Sequence, residues 1–317
     1  MLRRLEYKCH FCSTCEGLGC VGEMPGMGGA FSSANFIENV AGWKKLAAQT
    51  LPQTADSPAA LQTSQLLEKL QEEGLSLPAI RLAPMTGAVE NVGYQDERTF
   101  YFDLIIASCS ARIRLSIGDG CPDEKLLFGI EAVKAANQFF PKSKAAVFIK
   151  PYENARILER MEWSKDIAAI YGVDIDSYNI ITMRNKVNLE KKTAANLKEL
   201  KASSHLPFAV KGVFTEEDVQ MITQLKPDIV VISNHGGRIE TRRGSTAQFL
   251  QEYGNTLKSH CDQLWVDSGI RAFQDLVVAA RLGVTEVMIG RPIVTALCRD
   301  GVKGVIQAVH TLLPTDS

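Results

Sequence analysis

The sequence predicts an α/β protein: a (β/α)8 barrel over residues 76–317, preceded by a Cys-rich and helical extension over residues 1–75. Three observations carry this prediction. Short, unbroken apolar runs recur with helical stretches between them, the pattern of parallel strands buried on both faces. Eight strand–helix units follow one another in about 240 residues, which suits a closed barrel of about 250 residues better than an open sheet. Each run also stops abruptly at glycines and charged residues, the chemistry that barrels carry at the carboxyl ends of their strands.

The extension comes first. Cys9, Cys12, Cys15 and Cys20 crowd into one short stretch, whereas Cys109, Cys121, Cys261 and Cys298 are scattered. Four thiolates so close together suit a tetrahedral Zn²⁺ or an iron–sulfur cluster. Their spacing matches neither familiar ferredoxin pattern nor two separated Cys-x-x-Cys pairs, so a metal-free cap with ordinary thiols stands beside the metal reading. Residues 24–30, Met-Pro-Gly-Met-Gly-Gly-Ala, form a turn that either lies over a cofactor or serves as a linker. Phe36, Ile37, Val40, Trp43 and Leu46 make one apolar stripe on a helix over 35–48. Pro, Ser and Thr mark 51–58 as a linker. A second helix is expected over 61–73, stopping at Gly74.

The predicted barrel strands are 79–83, 112–117, 145–149, 169–173, 208–211, 228–232, 263–266 and 286–289. Helices are expected between them, among others over 97–110, 123–140 and 216–225. Thr215, with Asp218 three positions on, opens the last of these with acid near the positive end of the helix dipole.

Strand carboxyl ends share one rim, so the residues after each strand converge. The sixth strand runs into Ser233-Asn234-His235-Gly236-Gly237-Arg238. There His235 can exchange a proton near neutral pH, and Arg238 offers a planar fork for a carboxylate. Gly236 and Gly237 let the backbone approach a flat ligand. The seventh and eighth strands end in Asp267-Ser268-Gly269-Ile270-Arg271 and Gly290-Arg291-Pro292. Glycine N–H groups, helix starts and two arginines make a phosphate site there, the alternative being two arginines in rim salt bridges. Lys211 sets a cation against a ligand that gains negative charge, or else pairs structurally with Asp174 or Asp176. Asp174 is expected to hold and stabilise the imidazolium of His235, or otherwise to act as a cap or ion-pair partner.

The segments 210–212, 233–238, 266–271 and 289–292 resemble the FMN-dependent 2-hydroxy-acid oxidase/dehydrogenase family, which includes glycolate oxidase and lactate oxidase. Four motifs recur in order at barrel-unit spacing, strongly from 207 to 292 and more weakly from 79 to 173. The resemblance implies bound FMN, with His235 as base, Asp174 supporting it, Arg238 on the substrate carboxylate and Lys211 at the N1/O2 edge of the flavin. It implies further that Asp267, Gly269, Arg271, Gly290 and Arg291 bind the ribityl and phosphate end, that Pro84, Met85 and Thr86 lie along the ring, and that Ser233, Gly236 and Gly237 join the cofactor site. The chain departs from the family at the third strand, where Phe148-Ile149-Lys150-Pro151 stands in place of a glutamine and tyrosine motif. Lys150 takes the glutamine's place beside the flavin, and Tyr152 is the one candidate to replace the tyrosine. Arg184 lies near the position of a second substrate arginine, in a context that does not match. The cysteine-rich start resembles a bacterial branch described only as oxidising 2-hydroxy acids.

The expected activity is oxidation of an L-2-hydroxy acid to a 2-oxo acid. Two alternatives stand beside it: an FMN barrel of other chemistry, such as an isopentenyl-diphosphate isomerase, and a non-enzymatic module built on the cysteine metal site. The expected partners are a small carboxylate substrate, an unspecified electron acceptor and further copies of the chain. A formal net charge of −1 gives no field for nucleic acid. No apolar run reaches the roughly 18 residues of a membrane span. The two arginines near the start precede no apolar segment, so no signal peptide is expected and the cytoplasm is the default compartment.

Overall fold

A computed structural model describes residues 34–313, apart from 52, 55–56, 61–62, 90–93, 95, 180–186 and 240. The four clustered cysteines, the 24–30 turn and Arg184 therefore lie outside the described residues. The chain opens with helix α1 (Ala34–Thr50), a short antiparallel pair β1 (Gln53–Thr54) and β2 (Ser57–Ala60), and α2 (Thr63–Glu72). The linker expected over 51–58 thus contains strand pairing. The units that follow are β3 (Ala79–Leu82), α3 (Glu97–Ser110), β4 (Leu115–Gly118), α4 (Glu124–Ala136), β5 (Ala145–Ile149), α5 (Asn154–Ser164) and β6 (Ala168–Asp174). Then come α6 (Ala194–Ala202), β7 (Phe208–Val213), α7 (Glu216–Leu225), β8 (Ile229–Ile232), α8 (Thr246–Lys258), β9 (Gln263–Asp267), α9 (Phe273–Arg281), β10 (Glu286–Ile289) and α10 (Arg291–Leu312).

Strands β3 to β10 form one parallel sheet in the order β3-β10-β9-β8-β7-β6-β5-β4. A parallel bridge between Arg81 and Arg114 closes it into the (β/α)8 barrel. Side chains alternate across each strand, so a buried run feeds two cores at once. Along β5, Ala146 and Phe148 join Ile170, Ala209, Ile229, Val231, Trp265 and Met288 in an all-strand cluster inside the barrel. Their neighbours Ala145, Val147 and Ile149 pack outward against the helices. That double burial is why the strands read as continuous apolar runs. Towards the amino-terminal end, Arg81 fills the interior. Its Nε sits 2.6 Å from Glu286 and its guanidinium 4.6 Å over the Trp265 ring.

One predicted strand starts late. Arg112 takes φ 56°, and Ile113 N–H bonds back to Ser108 at the end of α3, so pairing begins only at Arg114 and β4 at Leu115. At the other end of the chain's order, α1 is packed in the barrel's own outer core through Phe36, Trp43, Leu46 and Ala47. It lies against the turns that follow β8 and β9, which brings residues of the extension to the functional rim.

Candidate active site

The buried centre of the rim is built by β5, β6 and β7. Asp174, the last residue of β6, is in register with Lys211 on β7. Lys211 Nζ lies 3.1 Å from Asp174 Oδ1, 3.1 Å from Ser233 Oγ and 3.5 Å from Asp267 Oδ2. Lys150, immediately after β5, sets its Nζ 2.7 Å from Asp174 Oδ2. Burial opposes the Asp174 charge, but the Lys150 and Lys211 ammoniums outweigh it and hold the carboxyl well below the usual range. Burial likewise opposes the Lys211 charge, and the carboxylates of Asp174 and Asp267 overcome it to raise that pKa. Ser233 extends the network by donating to Asp267 Oδ2 at 2.9 Å.

His235 sits on this floor in a short 3-10 turn, His235–Gly237, with its own φ at 57°. Its Nδ1 is 3.1 Å from Asp176 Oδ1 and 3.6 Å from Asp174 Oδ2. Asp176 belongs to the 3-10 turn Ile175–Asn179 after β6. It reaches the ring because Gly212 bulges out of β7 with φ +99°, where a Cβ would meet Asp176 Cγ at 2.6 Å. Burial and the nearby Lys150, Lys211 and Arg238 charges lower the His235 pKa well below its ordinary value, although Asp174 opposes them. The neutral imidazole is the favoured form. Burial, and then the Asp174 charge, push the Asp176 carboxyl well above the usual range. One ligand atom each from Asp174, Asp176 and His235 lie within 4.8 Å of one another. Both Asp174 oxygens are already engaged by the two ammoniums.

The second half of the rim follows β9 and β10. Ser268 and Gly269 take φ 70° and 92° before the start of α9, and Gly290 caps α10. Arg271 lines a cavity of about 310 Å³ together with Pro292, Thr295 and Arg299. Arg291 donates to the Gly236 carbonyl at 2.6 Å and stacks 4.0 Å from the Phe36 ring, so it ties the His235 turn to α1. Met85 lies beside Gly290, while Pro84 and Thr86 lie beside Gly118. The predicted residues at the ends of β3, β5, β6, β7, β8, β9 and β10 thus gather on one rim.

Tyr152 does not join the buried lysine–aspartate–histidine cluster. Its ring is clasped between the guanidiniums of Arg156 and Arg160, at 4.6 and 4.4 Å. Its hydroxyl has no hydrogen-bond partner among the described residues. Arg160 is fully buried and pairs with Asp119 at 2.9 Å, so the ring packs within an arginine–aspartate network.

Sequence reasoning missed the polar lock beneath the His235 turn. Asn39 Nδ2 donates to Asn234 Oδ1 at 2.9 Å, and Asn234 Nδ2 donates back to Asn39 Oδ1 at 3.1 Å. Asn35 donates to the carbonyls of Ile239 and Arg242, both at 2.8 Å. Trp43 Nε1 donates to the Ser268 carbonyl at 2.9 Å. A Cβ on Gly237 would come within 2.5 Å of Phe36 N, so glycine there lets α1 seat directly on the turn. Two asparagines four residues apart on an otherwise apolar helix face were the available signal.

Comparison with known proteins agrees with this architecture. Residues 132–314 match the family model described as FMN-dependent dehydrogenase. A 2-hydroxyacid oxidase of Dictyostelium discoideum is 34% identical over 117 residues, which cover 37% of this chain and 30% of the relative. A 4-hydroxymandelate oxidase of Amycolatopsis orientalis is 32% identical over 120 residues, covering 38% and 33%. The matched stretch spans about a third of the length of these curated relatives. A solved mandelate oxidase variant with a monooxide FMN adduct superposes with a TM-score of 0.61 at 18% identity, covering 91% of this chain and 86% of that one. That likeness shows the barrel fold. With a family match across more than half of its length, the chain belongs to the FMN-dependent dehydrogenase family.

Proposed function

We propose that the protein oxidises an L-2-hydroxy acid to the corresponding 2-oxo acid. The observation that carries this reading is His235, half-buried and with its neutral form favoured, sharing one short turn with Arg238 above two buried ammoniums. The substrate carboxylate pairs with the Arg238 guanidinium, which directs the hydroxyl-bearing carbon towards His235. His235 takes the proton, and the Asp174 charge stabilises the imidazolium that results. The relatives named as 2-hydroxyacid and 4-hydroxymandelate oxidases support this substrate class.

The donor set suits FMN. Arg271 and Arg291, with the backbone at Gly269 and Gly290, supply the charge and N–H groups that a phosphate needs. Lys150 and Lys211 would supply cations for an electron-rich ring, and Pro84, Met85, Thr86, Ser233, Gly236, Gly237 and Asp267 would help to hold it. When bound, FMN supplies the acceptor for two electrons. In the same reading Cys9, Cys12, Cys15 and Cys20 hold zinc or an iron–sulfur cluster, supported by four thiols within twelve residues.

The test is dye-linked turnover of the FMN-loaded protein on a panel of L-2-hydroxy acids. General base action contributes about 10²–10⁴-fold, so His235→Ala lowers kcat by at least about 10²-fold. Arg238→Met raises KM for carboxylate substrates. A flavin-loaded His235→Ala protein with full turnover contradicts the assignment.

A further inference from the structure

We propose that Asp176, rather than Asp174, is the positioning residue of His235: it accepts the Nδ1–H hydrogen bond and so leaves Nε2 as the proton-accepting nitrogen. The inference rests on His235 acting as the base of the proposed reaction. Three observations carry it. Asp176 Oδ1 is the nearer carboxylate oxygen to Nδ1, at 3.1 Å against 3.6 Å for Asp174. Both Asp174 oxygens are already engaged, Oδ2 by Lys150 at 2.7 Å and Oδ1 by Lys211 at 3.1 Å. The fold also makes room for Asp176 specifically, through the β7 bulge at Gly212, where any side chain would overlap its Cβ and Cγ.

The two carboxylates then divide the work that a single one does beside other histidine bases. Asp174 is the charged member, fixed between two lysines. Asp176 is the member whose carboxyl pKa is pushed up by burial and the Asp174 charge. Its Oδ2 has no hydrogen-bond partner among the described residues, and Oδ1 is the oxygen that faces the ring. The tautomer of His235 follows, because the bond made by one ring nitrogen sets the proton on the other. During the reaction the substrate proton moves to Nε2 while Nδ1–H stays on Asp176, and Asp174 balances the new charge.

The test is ¹⁵N NMR of histidine-labelled holoprotein, with His235→Gln identifying the His235 signals among the five histidines. Native protein at pH 7 is expected to show the Nδ1–H tautomer, Asp174→Asn to keep it, and Asp176→Leu to lose it. A native Nε2–H tautomer overturns the proposal, as does a tautomer that survives in Asp176→Leu but not in Asp174→Asn. A native Nε2–H spectrum overturns the proposal even where a variant does not fold, and Asp176→Ala takes the place of Asp176→Leu if the latter does not fold. The second readout is the pH profile of kcat/KM. The groups facing the Asp176–His235 pair are Asp174, Lys150, Lys211 and Arg238. With all four retained, Asp176→Leu is expected to lower kcat on the order of 10²-fold and to move the acid limb, whereas a purely structural role moves neither limb. Native protein that oxidises no hydroxy acid refutes the functional reading alone, since the tautomer is read without turnover.

Discussion

Replacing Asn39 by alanine tests whether the amino-terminal helix holds the His235 turn in place. Asn39 is 1% exposed and Asn234 fully buried. Asn39 Oδ1 accepts from Asn234 Nδ2 and from Thr246 N–H, both at 3.1 Å, and its Nδ2 donates to Asn234 Oδ1 at 2.9 Å. Asn234 Oδ1 keeps the Gly237 N–H at 3.0 Å in the variant. Two buried donors lose their partner: Thr246 N–H and one hydrogen of the Asn234 amide, whose other contact is a long 3.4 Å bond to the Gly244 carbonyl. A buried orphaned donor costs about 1–3 kcal/mol, so the variant should lose roughly 2–6 kcal/mol, a large share of the 5–15 kcal/mol typical of a folded protein. Urea unfolding of the holoprotein measures this directly. Ile37→Ala, on the same helix at a 51% exposed position, serves as control and should change stability by less than about 0.5 kcal/mol. Flavin affinity should fall with Asn39→Ala and not with Ile37→Ala. An Asn39→Ala protein within about 0.5 kcal/mol of native would refute the lock.

Lys211→Met leaves Asp267 and half of Asp174 uncompensated in the interior, and breaking a buried pair in this way costs about 3–5 kcal/mol; a melting curve that overlays the native one would contradict the pairing. Stability should also follow pH through His235. Its folded pKa is lowered, so the native state binds fewer protons than the unfolded chain below about pH 6.5. Its contribution is fully present above about pH 6.5 and is lost as pH falls towards the folded value. Urea midpoints from pH 7.5 to 5 should therefore decline less steeply in His235→Gln than in native protein, and equal slopes would sink the assignment. Asp174, also lowered, contributes above about pH 3.9 and loses that contribution below it, whereas Asp176, raised, stabilises at low pH and loses its contribution as pH rises from about 3.9 through its folded value. For the amino-terminal cysteines, elemental analysis of protein purified without oxygen should find zinc or iron, lost when all four become serine; metal-free native protein counts against that site.

Much of the fold is legible because parallel barrel strands are buried on both sides, which turns each into an apolar run that ends where the rim begins. Val230 and Val231 face different cores, yet both must be apolar. The rim chemistry is legible for the related reason that glycine and charge directly after such a run have nowhere to go but the strand ends. Less is legible where geometry turns on a few degrees of backbone. Asp174 and Asp176 are two residues apart, and only the 3-10 turn and the Gly212 bulge decide which of them reaches Nδ1. Likewise, the stripe Phe36, Trp43 and Leu46 shows a buried helix face without showing what it packs on. The late start of β4 follows from a left-handed Arg112, a conformation that its side chain does not announce. Tyr152 stands one residue after Pro151, close to the rim in sequence, but its ring packs against the guanidiniums of Arg156 and Arg160 on α5.

Whether His235 and Arg238 serve oxidation of a hydroxy acid is decided by anaerobic mixing of the FMN-loaded protein with individual L-2-hydroxy acids while the visible flavin band is followed. Rapid bleaching by at least one acid is expected, slowed by about 10²-fold or more in His235→Ala. Firmly bound flavin that no hydroxy acid bleaches, or equal bleaching in the two proteins, would contradict that role.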